Sequence, residues 1–121
     1  MTNDSNKYDL EERTGKFGED VINLCKSIKV TIYTEPIIKQ ILRSATSVGA
    51  NYMEANGSSS KKDFCNKIYI CKKESQETKH WLRMLSCACE GQIDDISYLL
   101  DEVQQLSMIF HKIATSTRSK I

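Results

Sequence analysis

Two adjoining pieces of sequence decide the fold: residues 41–56, ILRSATSVGANYMEAN, and residues 61–85, KKDFCNKIYICKKESQETKHWLRML, separated by Gly57-Ser58-Ser59-Ser60. In the first, Ile41, Ala45, Val48, Tyr52 and Ala55 recur every three or four residues, the period of one face of a helix. In the second, Phe64, Ile68, Cys71, Ser75, Thr78, Leu82 and Leu85 keep the same period. A Gly-Ser turn between two such patterns folds one helix back on the other. Ser60 is placed to cap the second helix, with Asp63 three residues on. That helix is expected from about Lys61 to Cys89, on the order of 40 Å at 1.5 Å per residue.

The flanking sequence extends the pattern. Residues 1–8 read as a polar arm, and Asp9, three before Glu12, has the spacing of a capping box. Leu10, Phe17, Val21, Leu24, Cys25 and Ile28 then form an apolar stripe, with Gly15 and Gly18 expected where another helix comes close. Residues 29–34 are a connector. Thr34-Glu35-Pro36 starts a helix, because proline's missing N–H is not needed in the first turn. After the long helix Gly91 is a stop signal, and Asp94 is the expected cap of a last helix carrying Ile96, Leu99, Leu100, Val103, Leu106, Phe110 and Ile113. Residues 116–121 form a second polar arm. Four amphipathic helices with short connections predict an all-α fold, an antiparallel up-down-up-down four-helix bundle, as one domain over residues 1–121.

Composition agrees with a single helical domain. The 121 residues are 40% hydrophobic and 27% charged, with one Pro and five Gly, too few breakers for many short strands. No basic, apolar signal segment opens the chain and no apolar run is long enough to span a bilayer. The five cysteines show no paired framework, so free thiols in a reducing cytoplasm are expected. Net charge is +1, but it is unevenly spread: residues 60–83 hold 7 Lys/Arg against 3 Asp/Glu, whereas residues 1–35 hold 5 against 7.

Most catalytic chemistry lacks its parts. Glu77-Thr78-Lys79-His80 has the Glu-x-x-His step of di-iron bundles, but a second such step is missing because Met108 precedes His111 at that spacing. Cys71 and Cys89 are separated by about 27 Å of helix, and Cys87 and Cys89 point different ways. No Gly-framed nucleophile and no phosphate-cradling loop is present; Gly57 to Lys62 has some of the composition without the spacing. The sequence therefore predicts no enzyme activity, no cofactor, no metal and no membrane partner.

Two non-catalytic signals remain. Lys61, Lys62, Lys67, Lys72, Lys73, Lys79 and Arg83 on the long helix, with Lys112, Arg118 and Lys120 near the end, are candidate phosphate contacts. The bland alternative is a solvated helix face with pairs such as Asp63 and Lys67. A second helical stripe, Gln40, Ser44, Ser47, Asn51 and Glu54, is uncharged until Glu54; it is either a simple solvent face or a small-residue polar seam packed against another helix or subunit. With Arg43, Glu74, Glu77 and Trp81, the residues Ser44, Ser47, Asn51 and Glu54 form a candidate oligomer interface, since Trp and Arg are favoured anchors. Trp81 filling an internal gap is the competing explanation.

YDLEERTGKFGEDVINLCK, LRSATSVGANYMEA and KKDF…CKKESQETKHWLRML resemble the first three helices of the family named after the protein encoded in 23S rRNA intervening sequences. The resemblance spans nearly the whole chain; Arg43, Ser44, Gly49, Asn51 and Glu54 match its second helix, and Lys61, Asp63, Phe64, Glu77 and Trp81 its third. It implies a four-helix bundle assembled as a homopentamer. A more distant relative, the accessory variability determinant protein of diversity-generating retroelements, implies nucleic-acid binding through a basic surface and a reverse-transcriptase partner. Two functions follow as expectations: sequence-independent binding of RNA or DNA by the lysine face, or a protein scaffold or accessory subunit without nucleic acid. The lysine cluster favours the first and the near-neutral total charge favours the second.

Overall fold

The structure, a computed structural model, describes residues 3–118, with side chains for residues 10–117. Four helices follow in order: α1 (Asn3–Ser27), α2 (Thr34–Asn56), α3 (Lys61–Ala88) and α4 (Ile93–Arg118). Each packs on its neighbour in sequence, and α1 closes the ring against α4, while among the described residues the backbones of the diagonal pairs, α1 with α3 and α2 with α4, do not come close. This is the antiparallel bundle that the helical periods and short connections demand. Among the described residues no helix is long and apolar enough to cross a membrane.

The core is built from the stripes. Phe17 and Val21 of α1, Ile41, Ala45 and Val48 of α2, Ile68, Leu82 and Leu85 of α3, and Val103, Leu106 and Phe110 of α4 have almost no solvent exposure. Tyr52 and Phe110 meet across the bundle with ring centroids 6.0 Å apart, tilted at 52°, a favourable aromatic pairing. The α1/α2 seam is tight because each helix offers a glycine. A Cβ on Gly18 would lie 3.8 Å from Thr46 Cα, and one on Gly49 would lie 3.4 Å from Thr14 Oγ1. Gly15, expected to make a similar contact, faces open space.

Between α2 and α3 the core contains a polar layer. The hydroxyls of Ser44 and Thr78 hydrogen-bond at 2.8 Å, and Thr78 Oγ1 is also 2.8 Å from the Glu74 carbonyl oxygen. Ser75 donates to the Cys71 carbonyl at 2.8 Å, and the Cys71 thiol to that of Val48 at 3.6 Å. Among the described residues no buried side-chain N or O atom lacks a partner, so burial carries no desolvation penalty left unmet. Burial away from water pushes the Cys25 thiol up to about 11 and the Cys71 thiol up to about 12. All five cysteines are free.

The helix ends differ in detail from the sequence expectation. Ser60 caps α3, accepting from Asp63 N at 3.0 Å, as its spacing predicted. Helix α2 begins at Thr34, but its orphan amides are met by Thr31, whose Oγ1 accepts from Tyr33 N and Thr34 N at 3.1 Å. Thr34 itself is buried, and its hydroxyl donates to the Lys29 carbonyl at 2.8 Å. Asp9 is not the start of α1, which begins at Asn3, and Asp94 lies within the first turn of α4 rather than at its cap. There Asp94 and Asp95 still face the positive end of the helix dipole. Helix α3 stops at Ala88, and Gly91 makes the turn into α4 with φ +92°, a left-handed conformation that favours glycine.

Candidate nucleic-acid interface

The seam between α3 and α4 opens outward as a groove of about 880 Å³. Lys72, Gln76 and Lys79 line it from α3, at the three-to-four-residue spacing of one helix face. Gln104, Ser107, Met108, His111, Lys112, Thr115 and Ser116 line it from α4. Among the described residues no carboxylate belongs to this lining. Lys79 Nζ donates to Gln104 Oε1 at 2.5 Å, tying the two walls together by a neutral acceptor and so keeping its charge uncompensated. Lys72 and Lys112 make no ion pair among the described residues.

The structure separates the cations that the sequence grouped. Lys72 and Lys79 enter the groove, and Lys112 joins them because α4 runs antiparallel beside α3. Lys67 turns to the opposite side, where its Nζ pairs with Glu54 of α2 at 2.8 Å; the hydrogen bond to Glu54 raises its pKa. The expected Asp63–Lys67 pair is thus replaced by a contact between helices. Lys61, Lys62, Lys73 and Arg83 are exposed and lie outside the groove lining. The side chain of Arg118, and Lys120 altogether, lie outside the described residues.

Of the expected polar seam, Ser44 and Glu54 meet α3 of the same chain. Ser44 is fully buried in the Thr78 pair, so it is corrected from a surface interface residue to a core residue. Ser47 donates to the Arg43 carbonyl at 2.7 Å and Asn51 to that of Ser47 at 2.8 Å, both local bonds along α2. Arg43 reaches across to Glu74, at 3.2 Å, and to Glu77. Hydrogen bonds to Glu74 first, then to Glu77, raise the guanidinium pKa. Trp81 is half-buried; its Nε1 donates to Glu77 Oε2 at 3.3 Å and its ring meets His80 edge-on at 5.0 Å. Glu77 is therefore engaged with Arg43 and Trp81. Among the described residues no three or more His, Cys, Asp or Glu side chains come together as metal ligands would.

A second groove, about 540 Å³ and mostly apolar, lies between α2 and α3 at the far end, lined by Tyr33, Ile37, Trp81, Met84, Cys87 and Ala88. Tyr33 is 72% exposed, and Ile32 beside it in the connector is 82% exposed. Sequence reading missed this groove because its walls come from helix segments more than forty residues apart. Lys112 was among the cations named from the sequence, but its meeting with Lys72 and Lys79 on one groove could not be read there for the same reason.

These features define a helical bundle with a cation-lined seam. The chain belongs to the 23S rRNA-intervening sequence protein family, whose model matches residues 6–112. It is also similar to a crystal structure from Bacteroides thetaiotaomicron, described as a protein of unknown function from the S23 ribosomal protein family. The identity is 30% and the TM-score 0.74, over 86% of this chain and 96% of that one. No curated protein matches the chain significantly. Neither description names a catalytic activity.

Proposed function

We propose that this protein is a non-catalytic, cytoplasmic binding protein that engages RNA or DNA, without sequence preference, through the α3/α4 groove. The observation that carries this reading is the convergence of Lys72, Lys79 and Lys112 on one groove whose lining, among the described residues, has no carboxylate. A phosphate backbone gains affinity mainly by releasing condensed counterions to such cations, with no need for base contacts. Gln76, Gln104 and Ser107 add neutral donors of the kind that fix a phosphate or sugar in place. Three lysines make a weak site alone. In a homo-oligomer, taken as a pentamer from the family resemblance, each subunit would repeat the groove, and simultaneous engagement multiplies a weak affinity.

The test is fluorescence anisotropy of a labelled structured RNA and a labelled duplex DNA, titrated with the full chain at low and at physiological salt. Binding that weakens steeply with salt, and is lost when Lys72, Lys79 and Lys112 are all changed to Ala, is the expected result. Absence of binding at low salt overturns the reading. A second reading, a protein-binding scaffold or accessory subunit, is favoured by the apolar groove around Tyr33 and Trp81, because exposed apolar patches mark protein contacts. It is the reading that survives if nucleic acid fails, and pull-down with the wild-type chain against a Trp81→Ala chain would then search for the partner.

A further inference from the structure

We infer that the α3/α4 groove is built for a single-stranded nucleic acid, whose unpaired bases pack on Tyr69 and Met108, rather than for a duplex. The inference rests on the nucleic-acid reading above and names the class of strand. Tyr69, Lys72, Gln76 and Lys79 are spaced 3, 4 and 3 residues apart, so they share one stripe of α3. Tyr69 therefore lies about one helical turn before Lys72; it is not itself part of the groove lining, and it is 59% exposed. Met108 lines the groove itself and is 62% exposed. Single exposed apolar side chains are ordinary on a protein surface. Here a polarisable thioether lies in a groove whose lysines have no ion pair among the described residues, and an exposed aromatic stands on the same α3 stripe one turn before it, the combination that binds unpaired strands: cations follow the phosphates, and exposed rings receive the bases.

The physical distinction from a duplex is direct. A duplex shows phosphates outward and keeps its bases stacked inside, so it could use Lys72, Lys79 and Lys112 while leaving Tyr69 and Met108 with nothing flat to cover. An unpaired strand can do both at once. From Tyr69 to Lys79 the stripe runs about 15 Å along α3, room for a short run of nucleotides. Base stacking does not depend on base identity, since every base has a π-face, which keeps the binding free of sequence preference.

The probes are a labelled oligothymidylate, an abasic strand with the same number of phosphates, and a duplex of the same length, each titrated by anisotropy with the full chain. The oligothymidylate is expected to bind about fivefold or more tightly than the abasic strand, the gain of one stacked base. Tyr69→Ala should remove that difference and leave abasic binding unchanged, while Tyr69→Phe should keep it. Circular dichroism of each variant checks the fold, which an exposed position is expected to preserve. Equal affinity for the base-bearing and abasic strands, or tighter binding of the duplex, overturns the single-strand inference and leaves phosphate binding standing. Loss of abasic binding in Tyr69→Ala also overturns it, because the side chain would then be acting through the groove's shape. Failure of every probe to bind at low salt overturns the nucleic-acid reading together with this one.

Discussion

Lys72 and Lys73 offer a stringent comparison, because they are adjacent in sequence, equally basic and differently placed. Lys72 lines the α3/α4 groove; Lys73 is exposed one position further round the helix and is not part of the lining. Changing either to Glu alters the total charge by the same amount, so any difference in nucleic-acid affinity reports position rather than net charge. If Lys72, Lys79 and Lys112 each neutralise one phosphate, the slope of log K against log salt for a duplex is about −2.7 per groove. Affinity then falls roughly 40-fold between about 50 and 200 mM salt. Losing the Lys72 contact lowers the slope to about −1.8 and weakens binding at about 50 mM by roughly 15-fold, before the added repulsion from Glu. Lys73→Glu acts only through screened, long-range repulsion and should cost about threefold or less at that salt. Anisotropy titrations of the three proteins at several salt concentrations measure both slope and intercept. Equal losses for the two variants, or a larger loss for Lys73→Glu, would refute the assignment of phosphate binding to the groove and point to the solvent face of α3.

Two further outcomes test the structure itself. Thr78→Val and Ser44→Ala should each destabilise the bundle by roughly 1–2 kcal/mol, lowering Tm by about 4 °C per kcal/mol. The double variant should lose less than the sum, with a coupling of about 1 kcal/mol from the shared hydrogen bond; strict additivity in thermal or urea unfolding would show that the pair does not form. The buried thiols predict a dependence on alkaline pH. Cys25 and Cys71 hold their protons to about 11 and 12 in the folded chain, whereas exposed thiols in the unfolded chain release theirs near their ordinary value. The folded state thus binds more protons above that value, so stability present below it falls as pH rises toward the folded values. Urea midpoints at mildly and strongly alkaline pH measure the effect, and a Cys25→Ala, Cys71→Ala double variant should flatten it; an unchanged slope in that variant would assign the loss to other groups.

The fold was legible because helix periodicity and turn chemistry are local properties. The stripes through Ile41, Ala45 and Val48 and through Ile68, Cys71 and Leu82 are buried as their spacing required, and the Gly57–Ser60 turn and Ser60 cap could be read from a handful of neighbouring residues. The cap of α2 was less legible. Thr31 and Thr34 both have suitable hydroxyls, and the bond of Thr34 to the Lys29 carbonyl decides which one meets the helix amides. Gly15 and Gly18 look alike in sequence, yet only Gly18 meets α2, because helix rotation about the bundle axis is set by packing.

Charge was where local reading ran out. Seven cations on one long helix form a single list in sequence, but each successive residue of a helix turns by about 100°. That rotation sends Lys67 to Glu54 on the α2 side and Lys72 and Lys79 to α4, where Lys112 arrives from about forty residues away. The polar stripe of α2 was likewise visible as a pattern, while its division into a buried Ser44, a half-buried Asn51 and an exposed Glu54 depended on how closely α3 approaches. The sequence by itself thus determined the helices, their order and the family, since these follow from short-range spacing and a chain-long match. Which charges are paired, which converge on a groove and which apolar side chains stand beside them were decided only by the tertiary packing, because those are distances between helices that no local pattern encodes.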